Sequence, residues 1–218
     1  MRTRRAVAWA AFVVALAVVA VTPHPAAGDE FMPGLAAHYY RDPTYWDGRW
    51  PDTVSVPDAN PNDWTFTNYQ YTRVEPLISH LFIRSGWFSV RWKGYLTIPP
   101  VEGGPQELTY RFSVWADDGC RLYIDDQKLI DDWRACPENS PTAWRSASVK
   151  LAPGRHRIVV EYFQGQSLRE KDADPMRLYW ECEARQLRRQ IVPETQFSHT
   201  AAELVATPGR LDGAGAAK

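Results

Sequence analysis

The chain predicts an all-β fold, a sandwich or barrel of antiparallel strands, on three observations. Apolar and polar residues alternate in short runs, and no long stretch repeats at helical spacing. Gly, Pro, Asp and Asn punctuate these runs with turn signals. Ten Trp and ten Tyr against three Met, with seventeen Pro, give the composition of an extracellular β-protein rather than a cytosolic enzyme. The length of 218 residues leaves room for one good-sized domain plus its ends.

Residues 1–28 read as a signal peptide. Arg2, Arg4 and Arg5 form a positive end, Ala6 to Val21 is an uncharged apolar run, and Ala26, Ala27 and Gly28 supply small residues before Asp29. That run is shorter than the roughly 20 residues a membrane span needs, so cleavage, secretion and no membrane insertion of the mature chain are expected. The domain is expected over residues 29–198 and a flexible, Ala- and Gly-rich tail over 199–218.

A first strand is expected around Leu35, Ala37 and Tyr39. A long loop follows, interrupted by Pro43, Pro51, Pro57 and Pro61, and Trp64 to Pro76 shows no steady period. Phe88, Val90, Trp92, Leu96 and Ile98 then share one face of a strand, opposed by Ser89, Arg91, Lys93 and Thr97. Leu108, Tyr110, Phe112 and Val114 alternate into Asp117-Asp118-Gly119. Leu122 and Ile124 mark the next strand, which turns at Asp125-Asp126-Gln127 into another from Leu129 to Trp133. Trp144 to Leu151 alternates weakly, and Ala152-Pro153-Gly154 is a tight turn. Arg157 to Phe163 alternates again, Gln164 to Pro175 reads as a polar loop, and Met176, Leu178, Trp180 and Cys182 form a last clear strand. Glu183 to Arg189 fits a helical turn, and Ile191-Val192-Pro193 an edge strand, where proline is tolerated.

A net charge of −1 gives no electrostatic case for nucleic acid or an anionic membrane surface. In an oxidising compartment the three cysteines matter. Cys120 and Cys136 flank one hairpin and are the expected bridge. Cys182 has the phase of a buried thiol, and a Cys120–Cys182 bridge remains open because Cys120 is in phase with Leu122 and Ile124. No phosphate-cradling loop, zinc-protease helix or nucleophile elbow is present. His38, His80, His156 and His199 are scattered and expected at the surface or at edges, so no catalytic residues are assigned. Asp117 and Asp118 are poor partners for catalysis, since adjacent residues of an ordinary strand point to opposite faces. Asp117, Asp118 and Gly119 read either as a turn or as the start of a hard-cation site, because calcium takes six to eight oxygens from an adaptable loop.

Several further pieces stand in a telling order. They are Gly34-Leu-Ala-Ala-His-Tyr-Tyr40, Val90-Arg-Trp-Lys-Gly-Tyr-Leu96, Ala116-Asp-Asp-Gly-Cys-Arg-Leu-Tyr-Ile-Asp125, Leu129-Ile-Asp-Asp-Trp133, Leu151-Ala-Pro-Gly-Arg-His156, Val159-Val-Glu-Tyr-Phe163 and Leu178-Tyr-Trp180. Together they resemble the PA14 domain family over nearly all of residues 32 to 182. The resemblance implies a β-sandwich module. In the family's sugar-binding branch two consecutive aspartates, joined by a cis peptide, hold a calcium ion that binds sugar hydroxyls, and Asp117 and Asp118 stand in that position. The branch's asparagine ligand has no counterpart in Gln164 to Pro175, so Gln164, Gln166, Asp172, Asp174 or backbone oxygens are the substitutes. Trp115, off the core-facing phase and next to the aspartates, is the candidate platform for a sugar ring, whereas core or inter-strand packing is expected for Trp133 and Trp144. The expectation is therefore a secreted, non-catalytic module that binds glycans through calcium. The alternative is a structural or protein-interaction module of the same fold.

Overall fold

The computed structural model describes residues 29–41, 65–83, 87–134, 143–165, 173–207 and 209. The expected signal peptide, the loop over 42–63, Cys136, Gln166, Asp172 and the last nine residues lie outside them. Among the described residues the chain is all-β, with antiparallel strands in two sheets and a few single turns of 3-10 helix.

The first sheet is built from β1 (Met32–Pro33), β2 (Leu35–Arg41), β3 (Tyr69–Glu75), β5 (Phe88–Ile98), β7 (Gly119–Ile124), β8 (Gln127–Asp132), β10 (Gly154–Gln164) and β13 (Phe197–His199). The second contains β4 (Ser79–Ile83), β6 (Leu108–Ala116), β9 (Trp144–Leu151), β11 (Ala173–Cys182) and β12 (Leu187–Ile191). Along the first sheet the order is β1-β13-β5-β10-β7-β8, with β2 pairing the first half of β5 and β3 pairing β2. In the second it is β12-β11-β6-β9, with β4 beside the start of β11. Val90, Trp92, Leu96, Leu122, Val160 and Tyr162 of one sheet meet Tyr110, Phe112, Val114, Met176 and Leu178 of the other in the core. The period-2 pattern thus places one face of each sheet in the interior.

Several expectations change. Tyr69–Glu75, aperiodic in sequence, is an edge strand with most of its residues exposed, so no face of it is selected to be apolar. β4 is an unforeseen edge strand. The helical turn is confined to Glu183–Arg185, and the edge strand starts earlier than foreseen, at Leu187. At the β7–β8 turn Asp125 and Asp126 both take left-handed backbone conformations. Their carboxylates stabilise this unfavourable choice: Asp125 accepts from the Arg157 amide at 2.9 Å and from His156 Nδ1 at 2.6 Å, and Asp126 accepts from the Arg157 guanidinium. Cys182 is a buried free thiol, which rules out its bridge to Cys120. Cys120 is buried, and its expected partner Cys136 is not among the described residues.

The largest departure concerns the outer face of the first sheet. Arg91, Lys93 and Glu161 lie on its solvent-type phase, yet Arg91 and Glu161 are 0% exposed. Register places His38, Arg91, Glu161, Arg121 and Asp131 side by side across β2, β5, β10, β7 and β8. Both Arg91 and Arg121 bond the Glu161 carboxylate, and Arg121 also bonds Asp131 at 2.8 Å. Phe66 lies over Arg91 and Trp133 over Arg121.

The end of the described chain completes this cover. Contrary to the flexible tail expected from residue 199, Thr200 caps a short 3-10 turn, Ala201–Leu204, through a reciprocal bond with Glu203. The segment is then held by its carbonyls. Thr207 O accepts from Tyr40 and Arg91, Gly209 O from Arg91, and Glu203 O from His38.

His38 and His199 are buried, not superficial. Glu203 O can only accept, so His38 Nε2 carries the proton and Nδ1 accepts from Thr72 at 2.7 Å. Burial, reinforced by the charges of Lys93 and Arg91, lowers the His38 pKa from 6.5 to about 4. Within that window the unfolded chain takes up a proton that the folded chain refuses. This contribution to stability is therefore complete above pH 6.5 and is lost as pH falls towards 4. Urea midpoints measured at pH 7 and pH 4.5 should fall less for His38→Gln than for wild type. Equal falls would remove His38 from the account.

Candidate functional site

Asp117 and Asp118 carry the chain from the second sheet to the first. β6 ends at Ala116, and β7 begins at Gly119. The Asp117 amide donates to Pro175 O on β11 at 3.1 Å, and the Asp118 amide donates to Phe163 O on β10 at 3.3 Å. The pair thus bridges the two layers at one end of the sandwich. The peptide bond between them is cis, as the resemblance implies. Both residues are 8% exposed.

The surroundings come from strands remote in sequence. Asp118 Oδ2 accepts the Gly165 amide at 2.8 Å. A Cβ on Gly165 would stand 3.1 Å from that oxygen, so glycine leaves the carboxylate its space. Tyr162 points inward from β10, and its hydroxyl lies between Asp117 O and the side-chain oxygen of Gln164, 2.9 Å from the latter. Burial pushes the Tyr162 hydroxyl well above its ordinary pKa, and the negative charges of Asp174, Asp118 and Asp117 push it further.

Arg145 fixes the backbone of the same corner. Its Nη1 donates to Ala116 O at 2.6 Å and to Ala143 O at 3.0 Å, its Nη2 to Asp118 O at 3.1 Å, and its Nε to Asp132 at 2.7 Å. Neither Arg145 nor Tyr162 was singled out from sequence. The signal for Arg145 was there: it occupies the inward phase of β9 with Ala147, Val149 and Leu151.

The expected site residues are brought together unequally. Asp117, Asp118, Gly119 and Gln164 converge, and Asp174 is buried on β11. Asp172 lies outside the described residues. Among the described residues no three His, Cys, Asp or Glu side chains are grouped to hold one metal ion. Beside the aspartate pair the described residues offer amide and backbone carbonyl oxygens, Gln164 Oε1 and Asp117 O among them. That donor set fits calcium, which takes neutral oxygens beside carboxylates. Trp115 does face outward, but its ring packs on Trp144, at 5.8 Å and nearly parallel, with Arg177 also against it. Trp133 packs against Phe66 and Phe163.

Two antiparallel sheets joined through a buried acidic pair define a β-sandwich. The chain belongs to the PA14 domain family, whose model matches residues 83–192. It is 30% identical over 146 residues to the anti-sigma-I factor RsgI3 of Acetivibrio thermocellus, a match covering 62% of this chain and 20% of that protein. This chain thus spans about a fifth of the length of that curated relative. Among solved structures, an anti-sigma factor domain-containing protein superposes with a TM-score of 0.54 at 24% identity, over 77% of this chain and 48% of the other. A PA14 sugar-binding domain from an RTX adhesin does so with a TM-score of 0.51 at 20% identity, over 77% and 99%. At these identities the structural likenesses concern the fold.

Proposed function

We propose that this protein is a secreted, non-catalytic glycan-binding module in which Asp117 and Asp118 hold a calcium ion that engages sugar hydroxyls. The observation that carries this reading is the convergence of the buried acidic pair with Gln164 and the Gly165 backbone at one end of the sandwich. The sugar-binding adhesin domain among the structural relatives supports it at the level of the fold. The reading for residues 1–28, a secretory signal, supplies the location.

The test is a calorimetric calcium titration of metal-stripped protein, wild type beside Asp117→Asn/Asp118→Asn. Saturable binding with a Kd on the order of 10⁻⁴ M is expected for wild type, and none for the double variant. A glycan array run with and without chelator then identifies the sugar. Absence of calcium binding by folded wild type would overturn the reading.

A second reading, a protein-interaction module without sugar binding, is favoured by the anti-sigma factors among the relatives. Calcium binding without any glycan on the array would select it.

A further inference from the structure

The outer face of the second sheet has a different character from the site above. Trp115, Trp144 and Tyr179 come from three strands and pack against one another there. The Trp144 ring is 5.8 Å from Trp115 and 5.2 Å from Tyr179. They cover Ser113, which is 4% exposed on this otherwise solvent-facing side, while Trp144 is itself 42% exposed. Two arginines flank the cluster, Arg177 with its guanidinium 5.1 Å from the Trp115 ring and Arg189 4.9 Å from the Trp144 ring.

The charges of this face are lopsided. Of its cations Arg111, Lys150, Arg177 and Arg189, Arg111 lies 3.7 Å from Glu181, and Glu107 and Glu183 join Glu181 at the end away from the rings. Among the described residues the other three cations have no carboxylate within ion-pair distance. Arg177 Nε is buried without a hydrogen-bond acceptor among them. A donor left so is expensive unless something supplies an acceptor. In a chain of net charge −1, this concentration of cations is a local property of one surface.

We propose that this face is a second glycan-binding surface, selective for linear polysaccharides that carry carboxylates. An exposed indole offers a flat apolar plate to the C–H face of a pyranose ring, and the flanking guanidiniums are shaped to take a carboxylate in two parallel hydrogen bonds. From Thr109 to Trp115 the strand runs about 20 Å, room for several sugar rings in a row. Thr109, Ser146 and Ser148 line that path with exposed hydroxyls. The path stops short of a hollow of about 800 Å³ at its far end, where Glu107, Glu181 and Glu183 join Arg111 and would repel a carboxylate. An open, hydroxyl-lined plate favours a sugar chain over an acidic peptide, which needs pockets for its side chains.

This surface needs no metal, so its fate is separable from that of the calcium reading. The experiment titrates the protein, in chelator and at low salt, with cellohexaose and with its C6-oxidised counterpart, a cellouronate hexasaccharide. Tryptophan fluorescence and calorimetry are the readouts. Saturable binding of the cellouronate, at least about tenfold tighter than cellohexaose, is expected. Trp144→Ala should weaken it by at least about tenfold. Arg177→Gln/Arg189→Gln should bring it down to the level of cellohexaose, and Asp117→Asn/Asp118→Asn should leave it unchanged. Trp144, Arg177 and Arg189 lie on the outer face while the aspartate pair is buried, and thermal midpoints equal to wild type certify the fold of every variant. No saturable binding, equal affinity for both sugars, equal affinity for poly-L-glutamate, or loss of binding in the aspartate variant would each overturn the proposal.

Discussion

Glu161→Ala should destabilise the protein by about 3–5 kcal/mol, the range for removing one partner of a buried ion pair. The carboxylate is fully buried between Arg91 and Arg121, with guanidinium nitrogens at 2.6 Å and 3.3 Å. Its removal leaves two cations facing each other under a cover of Phe66 and Trp133. Since a domain of this size has only about 5–15 kcal/mol of stability, the urea midpoint should drop sharply. Glu161→Gln retains acceptor capacity for one of the two arginines and should lose distinctly less. A loss below about 1 kcal/mol for Glu161→Ala would show that this row behaves like exposed ion pairs.

Gly119→Ala is the second large effect. Gly119 and Phe163 are cross-strand partners on β7 and β10. A Cβ on Gly119 would come within 2.1 Å of the Phe163 ring, which is itself buried against Trp133 at 4.8 Å. The ring is buried and backed by Trp133, so overpacking should destabilise by about 3 kcal/mol, at the upper end of the usual range. The same change sits directly after Asp118 and should weaken calcium binding in the titration proposed above. A double-mutant cycle isolates the cause. In a Phe163→Leu background Gly119→Ala should be much less harmful, giving a favourable coupling of about 1–3 kcal/mol. Additive losses would mean that the ring is not what the glycine accommodates.

The strands that sequence showed best are those with one face in the core. The alternation of Phe88 to Ile98 and of Leu108 to Val114 fixes which side chains point inward, and β5 and β6 follow it. The aspartate corner was legible through resemblance, but not its environment. Tyr162 and Gly165 come from the far end of β10, and Arg145 reaches in from β9. Period-2 logic fails for the outer face of the first sheet because it assumes that a polar phase meets water. Here Phe66, Trp133, residues 200–207 and Gly209 close over Arg91 and Glu161 from distant parts of the chain. Such coverage leaves no trace in the local pattern. Trp144 shows the converse: its inter-strand packing was expected, but on the outside of a sheet it keeps much of its indole in solvent.

The position of β13 between β1 and β5 bears on how this chain is made. During synthesis the first sheet cannot close until residue 199 has emerged, and the carbonyls that cap Arg91 come later still, at Thr207 and Gly209. Until then the second half of β5, at Tyr95 and Leu96, presents an unpaired edge, the kind of surface through which nascent chains associate wrongly. Pairing of segments this far apart places the protein among slow folders, on the scale of about milliseconds to seconds. The cooperative unit is thus wider than the 83–192 stretch that marks the family: a fragment cut at those limits would lack β1 to β3, all but the last residue of β4, β13 and the segment that seals the charged row.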